Sequence, residues 1–166
     1  MQTTVLFLIL AICLSIGTNH FLIERLRITG PSMSPTLTDK QKIFINKWAY
    51  RLKKPQQSHI VAIIKQNNLF KKEYYIKRII ALPGDVVQIK QGAVYVNNQR
   101  LIEPYLTHQT SRAGRAIKKT KLSPTEYFVL GDNRSNSLDS RDLNFMTVHQ
   151  KNIVGQIITS KQRNHR

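Results

Sequence analysis

Tyr74-Tyr75-Ile76-Lys77-Arg78-Ile79-Ile80-Ala81-Leu82-Pro83-Gly84-Asp85 runs directly into Val86-Val87-Gln88-Ile89-Lys90, Gln91-Gly92 and Ala93-Val94-Tyr95-Val96. Its apolar residues are largely β-branched or aromatic, and Pro-Gly-Asp and Gln-Gly punctuate it with residues that suit tight turns. The stretch reads as three strands, the last two a hairpin, with Asn97-Asn98 opening the next turn. Outward from it, Lys42-Ile43-Phe44-Ile45-Asn46, His59-Ile60-Val61-Ala62-Ile63-Ile64, Glu126-Tyr127-Phe128-Val129-Leu130 and residues 153–159 have the same character. Residues 107–121 are polar, basic and aperiodic, and read as a mobile surface loop. No repeat or helical heptad follows residue 23. The expectation is a mostly β fold of antiparallel sheet.

Residues 3–23 carry no formal charge, and 5–14 are almost purely apolar. As a helix such a run is about 30 Å long, roughly one hydrocarbon core. A transmembrane anchor, a cleaved signal peptide and a buried core helix compete for it. Ser15-Ile16-Gly17 has the small-x-small form of a cleavage site, but no basic segment precedes the run. The anchor is the better reading: residues 1–23 as one transmembrane helix, with 24–166 as a single domain on a short stalk. The positive-inside rule does not orient a domain of that length.

The chain holds 26 Lys+Arg against 9 Asp+Glu, a net charge of +17. Such a field draws polyanions. The basic residues are scattered from Arg25 to Arg166 with no helix-turn-helix, zinc-finger or RNP pattern, so no specific nucleic-acid partner is expected. Anionic membrane lipid suits the charge better. With one cysteine, Cys13, no intrachain disulfide forms, and the five histidines lack metal-ligand spacing. No metal or cofactor is expected.

Chemistry concentrates in Gly30-Pro31-Ser32-Met33-Ser34-Pro35-Thr36-Leu37, where a glycine and two prolines restrict the backbone around Ser32. A serine needs a base that is neutral at working pH. Lys77, flanked by Tyr75, Ile76, Ile79 and Ile80, is the best candidate, because an apolar setting lowers a lysine pKa. Gly131-Asp132-Asn133-Arg134-Ser135-Asn136-Ser137-Leu138-Asp139-Ser140-Arg141 follows a strand and is dense in hydrogen-bonding groups. Read alone it is an exposed hairpin loop; beside the other two stretches it can buttress a site.

Together the three stretches resemble type I signal peptidases, membrane-anchored serine–lysine endopeptidases, in the short form of Gram-positive bacteria. The resemblance rests on Ser-Met-x-Pro-Thr-Leu at 32–37, Lys-Arg-Ile-Ile-Ala-Leu-Pro-Gly-Asp at 77–85, and Gly-Asp-Asn-Arg…Ser-x-Asp-Ser-Arg at 131–141, in family order behind an apolar segment. It implies an antiparallel signal-peptidase-like catalytic domain at the plasma membrane, on the extracytoplasmic side. Its activity would be removal of signal peptides from secretory preproteins after small residues at −1 and −3. By the same resemblance Ser32 is the nucleophile, Lys77 the general base, and Ser137 the hydroxyl that orients the lysine. Asp139 and Arg141 are a pair holding the loop. Gly30 and the Ser32 amide stand at the oxyanion hole, and Met33, Leu37, Tyr75 and Ile76 line the substrate pockets.

Departures occur at turns: Lys40-Gln41 and Ser58-His59 stand where the family carries Gly-Asp, and Asn144 where it carries glycine. The alternative reading is a non-catalytic or specialised relative serving as an assembly factor for surface proteins. Phe44 and Trp48 are either core or an apolar patch at the membrane interface.

Overall fold

Eleven strands carry the fold among the residues that the computed structural model describes, 22–66, 72–106 and 112–158. The larger sheet runs β1 (Ile23–Arg27), β2 (Lys42–Asn46), β11 (Ile153–Ile158), β3 (Ile60–Gln66), β4 (Lys72–Ala81), β9 (Glu126–Leu130), β10 (Val148–His149) in spatial order. The smaller runs β7 (Gln99–Arg100), β6 (Ala93–Val96), β5 (Val86–Lys90), β8 (Thr120–Lys121). All neighbouring pairs are antiparallel.

The apolar patterns follow from the layering. In β2, Ile43 and Ile45 are buried while Lys42 and Phe44 face solvent, the alternation of a strand covered on one side. β3 is covered on both. Ile60 and Ala62 join a core with Met33, Leu37, Ile43, Ile45 and Ile157, whereas Val61 and Ile63 join Ile79, Tyr127, Val129 and Phe145. β9 divides likewise, sending Phe128 and Leu130 into a third core with Ile80, Val87, Ile89 and Val94 beneath the smaller sheet. An unbroken apolar run is therefore needed in both strands. The hairpins around β6 close through two-residue turns with positive φ at Gln91 (50°) and Gly92 (74°), then Asn97 (52°) and Asn98 (68°), as primed turns require.

Two expectations change, and one open alternative is decided. Residues 107–111 lie outside the described part, but 112–121 is no loop of free surface. Gly114–Ile117 forms a turn of 3-10 helix whose Ala116 is fully buried in the third core, and β8 follows. The stalk is instead a strand, with Ile23 opening β1 along β2. Phe44 and Trp48 are not core; they are 47% and 50% exposed. Among the described residues no helix is long and apolar enough to cross a membrane. Residues 1–21, which carry most of the expected anchor, are not among them.

The missing glycines turn out to be replaced conformationally. Lys40 and Ser58 occupy the left-handed region, φ 63° and 70°, where glycine is ordinarily favoured. The residues that follow them close the same turns, with Gln41 Oε1 accepting from the Thr38 amide at 2.9 Å and His59 Nδ1 from the Gln56 amide at 3.4 Å. Near Asn144 the left-handed residue is Met146, φ 62°.

Candidate active site

Ser32 sits in the excursion between β1 and β2. Hydrogen bonds from the Ile28 amide to Gln41 O (2.9 Å) and from the Lys40 amide to Ile28 O (3.0 Å) close its base. Met33 and Leu37, each 1% exposed, plug the excursion into the core on either side of Pro35. The Pro31–Ser34 turn (2.9 Å) presents Ser32 immediately before the first of those anchors.

Lys77 lies on β4 opposite Val61 of β3 and is 2% exposed. Its Nζ lies 2.9 Å from Ser32 Oγ, a hydrogen bond between residues 45 positions apart. Burial pushes the Lys77 amine down to about 8. Asp139 and Asp132 pull it up, and Arg141 helps hold it down. An amine that sheds its proton near neutrality, within reach of a hydroxyl, can accept that hydroxyl's proton.

The loop after β9 holds the arrangement from the other side. Asp139 and Arg141 form a fully buried pair, with Nε and Nη2 each 2.8 Å from a carboxylate oxygen, and Asp139 also accepts from the Gly131 amide at 3.1 Å. Arg141 donates to the Arg134 carbonyl at 2.8 Å. The Asn133 amide donates to the Ser32 carbonyl at 3.0 Å. Gly131 makes this approach possible, because a Cβ there would stand 2.4 Å from Ser32 O and 2.3 Å from Ser137 Oγ.

Two expected contacts are absent. Ser137 Oγ is buried without a hydrogen-bond partner among the described residues, so its bond to Lys77 is not formed. Leu37 packs in the core rather than on the groove. The groove itself, about 450 Å³, runs past the pair and includes Met33, Tyr75 and Ile76 as expected. It also includes Tyr74, Asn136 and Leu138, which the sequence reading left unassigned. Gly30, φ 89°, lies on its rim, and its amide donates to Asp39 Oδ1 at 2.8 Å. Asn133 and Gly131 were visible as motif letters only; their roles are backbone approaches that no side-chain pattern encodes.

Fold and geometry define a class: an antiparallel β domain that sets a serine hydroxyl against a buried lysine amine in an open groove. Comparison with known proteins gives the family. A family model described as "Signal peptidase, peptidase S26" matches residues 1–160. The chain is 36% identical over 142 residues to a signal peptidase I of Bacillus amyloliquefaciens, covering 81% of this chain and 74% of the relative. It is 35% identical over 142 residues to signal peptidase I T of Bacillus subtilis, covering 81% and 72%. The crystal structure of a signal peptidase I from Enterococcus faecalis superposes with a TM-score of 0.53 at 31% identity, over 64% of this chain and 98% of that one. The chain belongs to the S26 family of signal peptidases and is a peptide-bond hydrolase.

Proposed function

We propose that Ser32 is the nucleophile and Lys77 the general base of an endopeptidase that removes signal peptides from secretory preproteins. The observation that carries this reading is the 2.9 Å contact between Lys77 Nζ and Ser32 Oγ, made by a lysine that is 2% exposed. Neutral Lys77 takes the Ser32 proton as Oγ attacks the scissile carbonyl, giving a tetrahedral intermediate and an ammonium at Lys77. The ammonium returns its proton to the leaving amine, and the acyl group remains on Ser32. A water then attacks the ester, with Lys77 again the base, and frees Ser32.

The oxyanion falls to the Ser32 amide. Gly30 offers no side-chain donor and its own amide is engaged by Asp39, so its part is to shape the rim. Loss of one such donor typically costs about 3–4 kcal/mol in the transition state.

The substrate binds as an added strand. Among the described residues β9 pairs with β4 only over Arg78–Ala81, so the stretch from Lys72 to Lys77 has β3 on one side and the groove on the other. An extended peptide hydrogen-bonded along that edge brings alternate side chains onto Met33, Tyr75 and Ile76, where bulk is excluded. Small residues at −1 and −3 fit.

The apolar run that precedes β1 anchors the protein in the plasma membrane by a single span, with the domain on the extracytoplasmic side. Ser32 follows Ile23 by nine positions, which suits a cleavage site emerging from the bilayer. Exposed Phe44 and Trp48, with Arg25, Arg27 and Lys42 nearby on β1 and β2, suit contact with lipid headgroups. The test is incubation of the detergent-solubilised protein with a preprotein whose signal ends in Ala-x-Ala, followed by N-terminal sequencing of the product. Cleavage after the second alanine that disappears with phenylalanine at −1 is expected; cleavage indifferent to that residue would refute the pocket assignment.

A further inference from the structure

The segment Glu103-Pro104-Tyr105 leaves the smaller sheet just after β7 and has no part in the groove. Its two long side chains nevertheless reach two of the arginines that fix the loop after β9, Arg134 and Arg78. Glu103 makes a bidentate pair with Arg134, whose side chain is 2% exposed and whose Nη1 lies 3.1 Å from Glu103 Oε2. Arg134 Nε in turn donates to the Gly131 carbonyl at 3.0 Å. The Tyr105 ring lies 3.9 Å from the guanidinium of Arg78, and its hydroxyl donates to Glu103 at 2.7 Å. Arg78 adjoins Lys77 on β4 and clamps Asp132 through two bonds of 2.8 and 2.6 Å.

The two chains of contact converge. Glu103 holds Arg134, which holds the Gly131 carbonyl; Tyr105 covers Arg78, which holds Asp132. Gly131 and Asp132 are the residues just before Asn133, whose amide grips the Ser32 carbonyl. A buried bidentate ion pair and a guanidinium stacked on an aromatic face are stiff, directional contacts. They sit between the smaller sheet and the backbone that carries the hydroxyl.

We infer that Glu103 and Tyr105 are positioning residues that set the alignment of Ser32 against Lys77, acting through Arg134, Arg78 and the loop at 131–133. This rests on the Ser32–Lys77 reading. The groups facing Lys77 are Ser32 together with Asp132, Asp139 and Arg141, all but Ser32 on the segment that follows β9. Loosening the brace lets water reach the amine, reduces its desolvation and raises its proton affinity.

The test uses the full-length protein and a preprotein substrate, with Glu103→Gln, Glu103→Ala and Tyr105→Phe compared by kcat, KM, pH–rate profile and thermal unfolding. Gln keeps one acceptor for Arg134, and Phe keeps the ring over Arg78, so both are suited to fold even where Ala is not. Expected are a kcat lowered about 10-fold in Glu103→Gln and 100-fold in Glu103→Ala, on the scale of a small misplacement at a reacting centre. KM should stay within about threefold, since no groove residue changes, and the rising limb of the profile should move to higher pH. A midpoint of unfolding that falls while kcat and the limb stay at wild-type values in the folded variants would overturn the inference. Ser32→Ala run in parallel separates the two failures. If it is as active as wild type, the underlying reading fails; if it is inactive and the Glu103 variants are not impaired, only this inference does.

Discussion

The Asn133 amide donates to the Ser32 carbonyl at 3.0 Å, so a loop 101 positions downstream holds the backbone of the residue that carries the reactive hydroxyl. That approach depends on the absence of a side chain at Gly131. A methyl there would meet Ser32 O and Ser137 Oγ inside van der Waals distance. Gly131→Ala is expected to lower kcat about 100-fold, because a shift near 1 Å at a reacting centre has that effect. Its cost in stability should be about 1–3 kcal/mol. Steady-state kinetics beside denaturant unfolding check both, and wild-type kcat would count against the clamp.

Asp139 and Arg141 are each buried, and the carboxylate also accepts from the Gly131 amide. Removing one partner leaves a buried charge uncompensated, so Asp139→Ala should destabilise by about 3–5 kcal/mol. The double variant Asp139→Ala with Arg141→Met should lose less than the sum of the singles. Urea unfolding of the four proteins measures the coupling. Additive losses would mean that the pair is not a unit.

The turns at Lys40 and Ser58 ask L-residues to adopt a conformation costing about 1–2 kcal/mol, while glycine gives back part of that gain as unfolded-state entropy. Lys40→Gly and Ser58→Gly should each stabilise the protein by about 0.5–1 kcal/mol and leave activity unchanged. A loss of stability in either would show that the side chain contributes more than the backbone strain removes.

Lys77 carries a pH signature. Its amine titrates at about 8 in the folded protein against an ordinary value of 10.5. Between those values the unfolded chain binds a proton that the folded one does not, so stability rises with pH from about 8 to 10.5 and falls as pH is lowered across that window. Below pH 8 the full penalty of burying the ammonium is present, about 3 kcal/mol at 1.36 kcal/mol for each pH unit. Lys77→Met should therefore unfold at higher denaturant than wild type at pH 7. For the same reason the cleavage rate should climb through a limb near pH 8. Lys65 titrates at about 8 as well, half-buried with its ammonium over the Phe145 ring, so Lys65→Met is the control. It must leave the limb in place.

Much of this was legible in the sequence. The segments 42–46, 86–90, 93–96 and 126–130 declare themselves by β-branched residues between turn signals, and the structure keeps their bounds. Ser32 and Lys77 stand out because a hydroxyl held by prolines and a lysine among isoleucines are uncommon settings. β1 was hidden, since Ile23 merges with the apolar run before it and the rest alternates charged and apolar residues. Ala116 was hidden because one small apolar residue in a basic stretch gives no periodic signal. Lys40 and Ser58 concealed left-handed turns behind residues that rarely adopt them. The brace from Glu103 and Tyr105 joins two sheets across 27 to 31 positions, and only tertiary packing reveals it. Ser137 is the converse case, a matching motif position whose hydroxyl makes no bond among the described residues.

The central claim is that one hydroxyl and one amine do the chemistry. Its most direct test is the rate at which wild type, Ser32→Ala and Lys77→Ala cut the same preprotein, each verified as folded. Wild-type cleavage with both variants reduced by about 10⁴-fold or more is the predicted result. Substantial cleavage by either folded variant would contradict it.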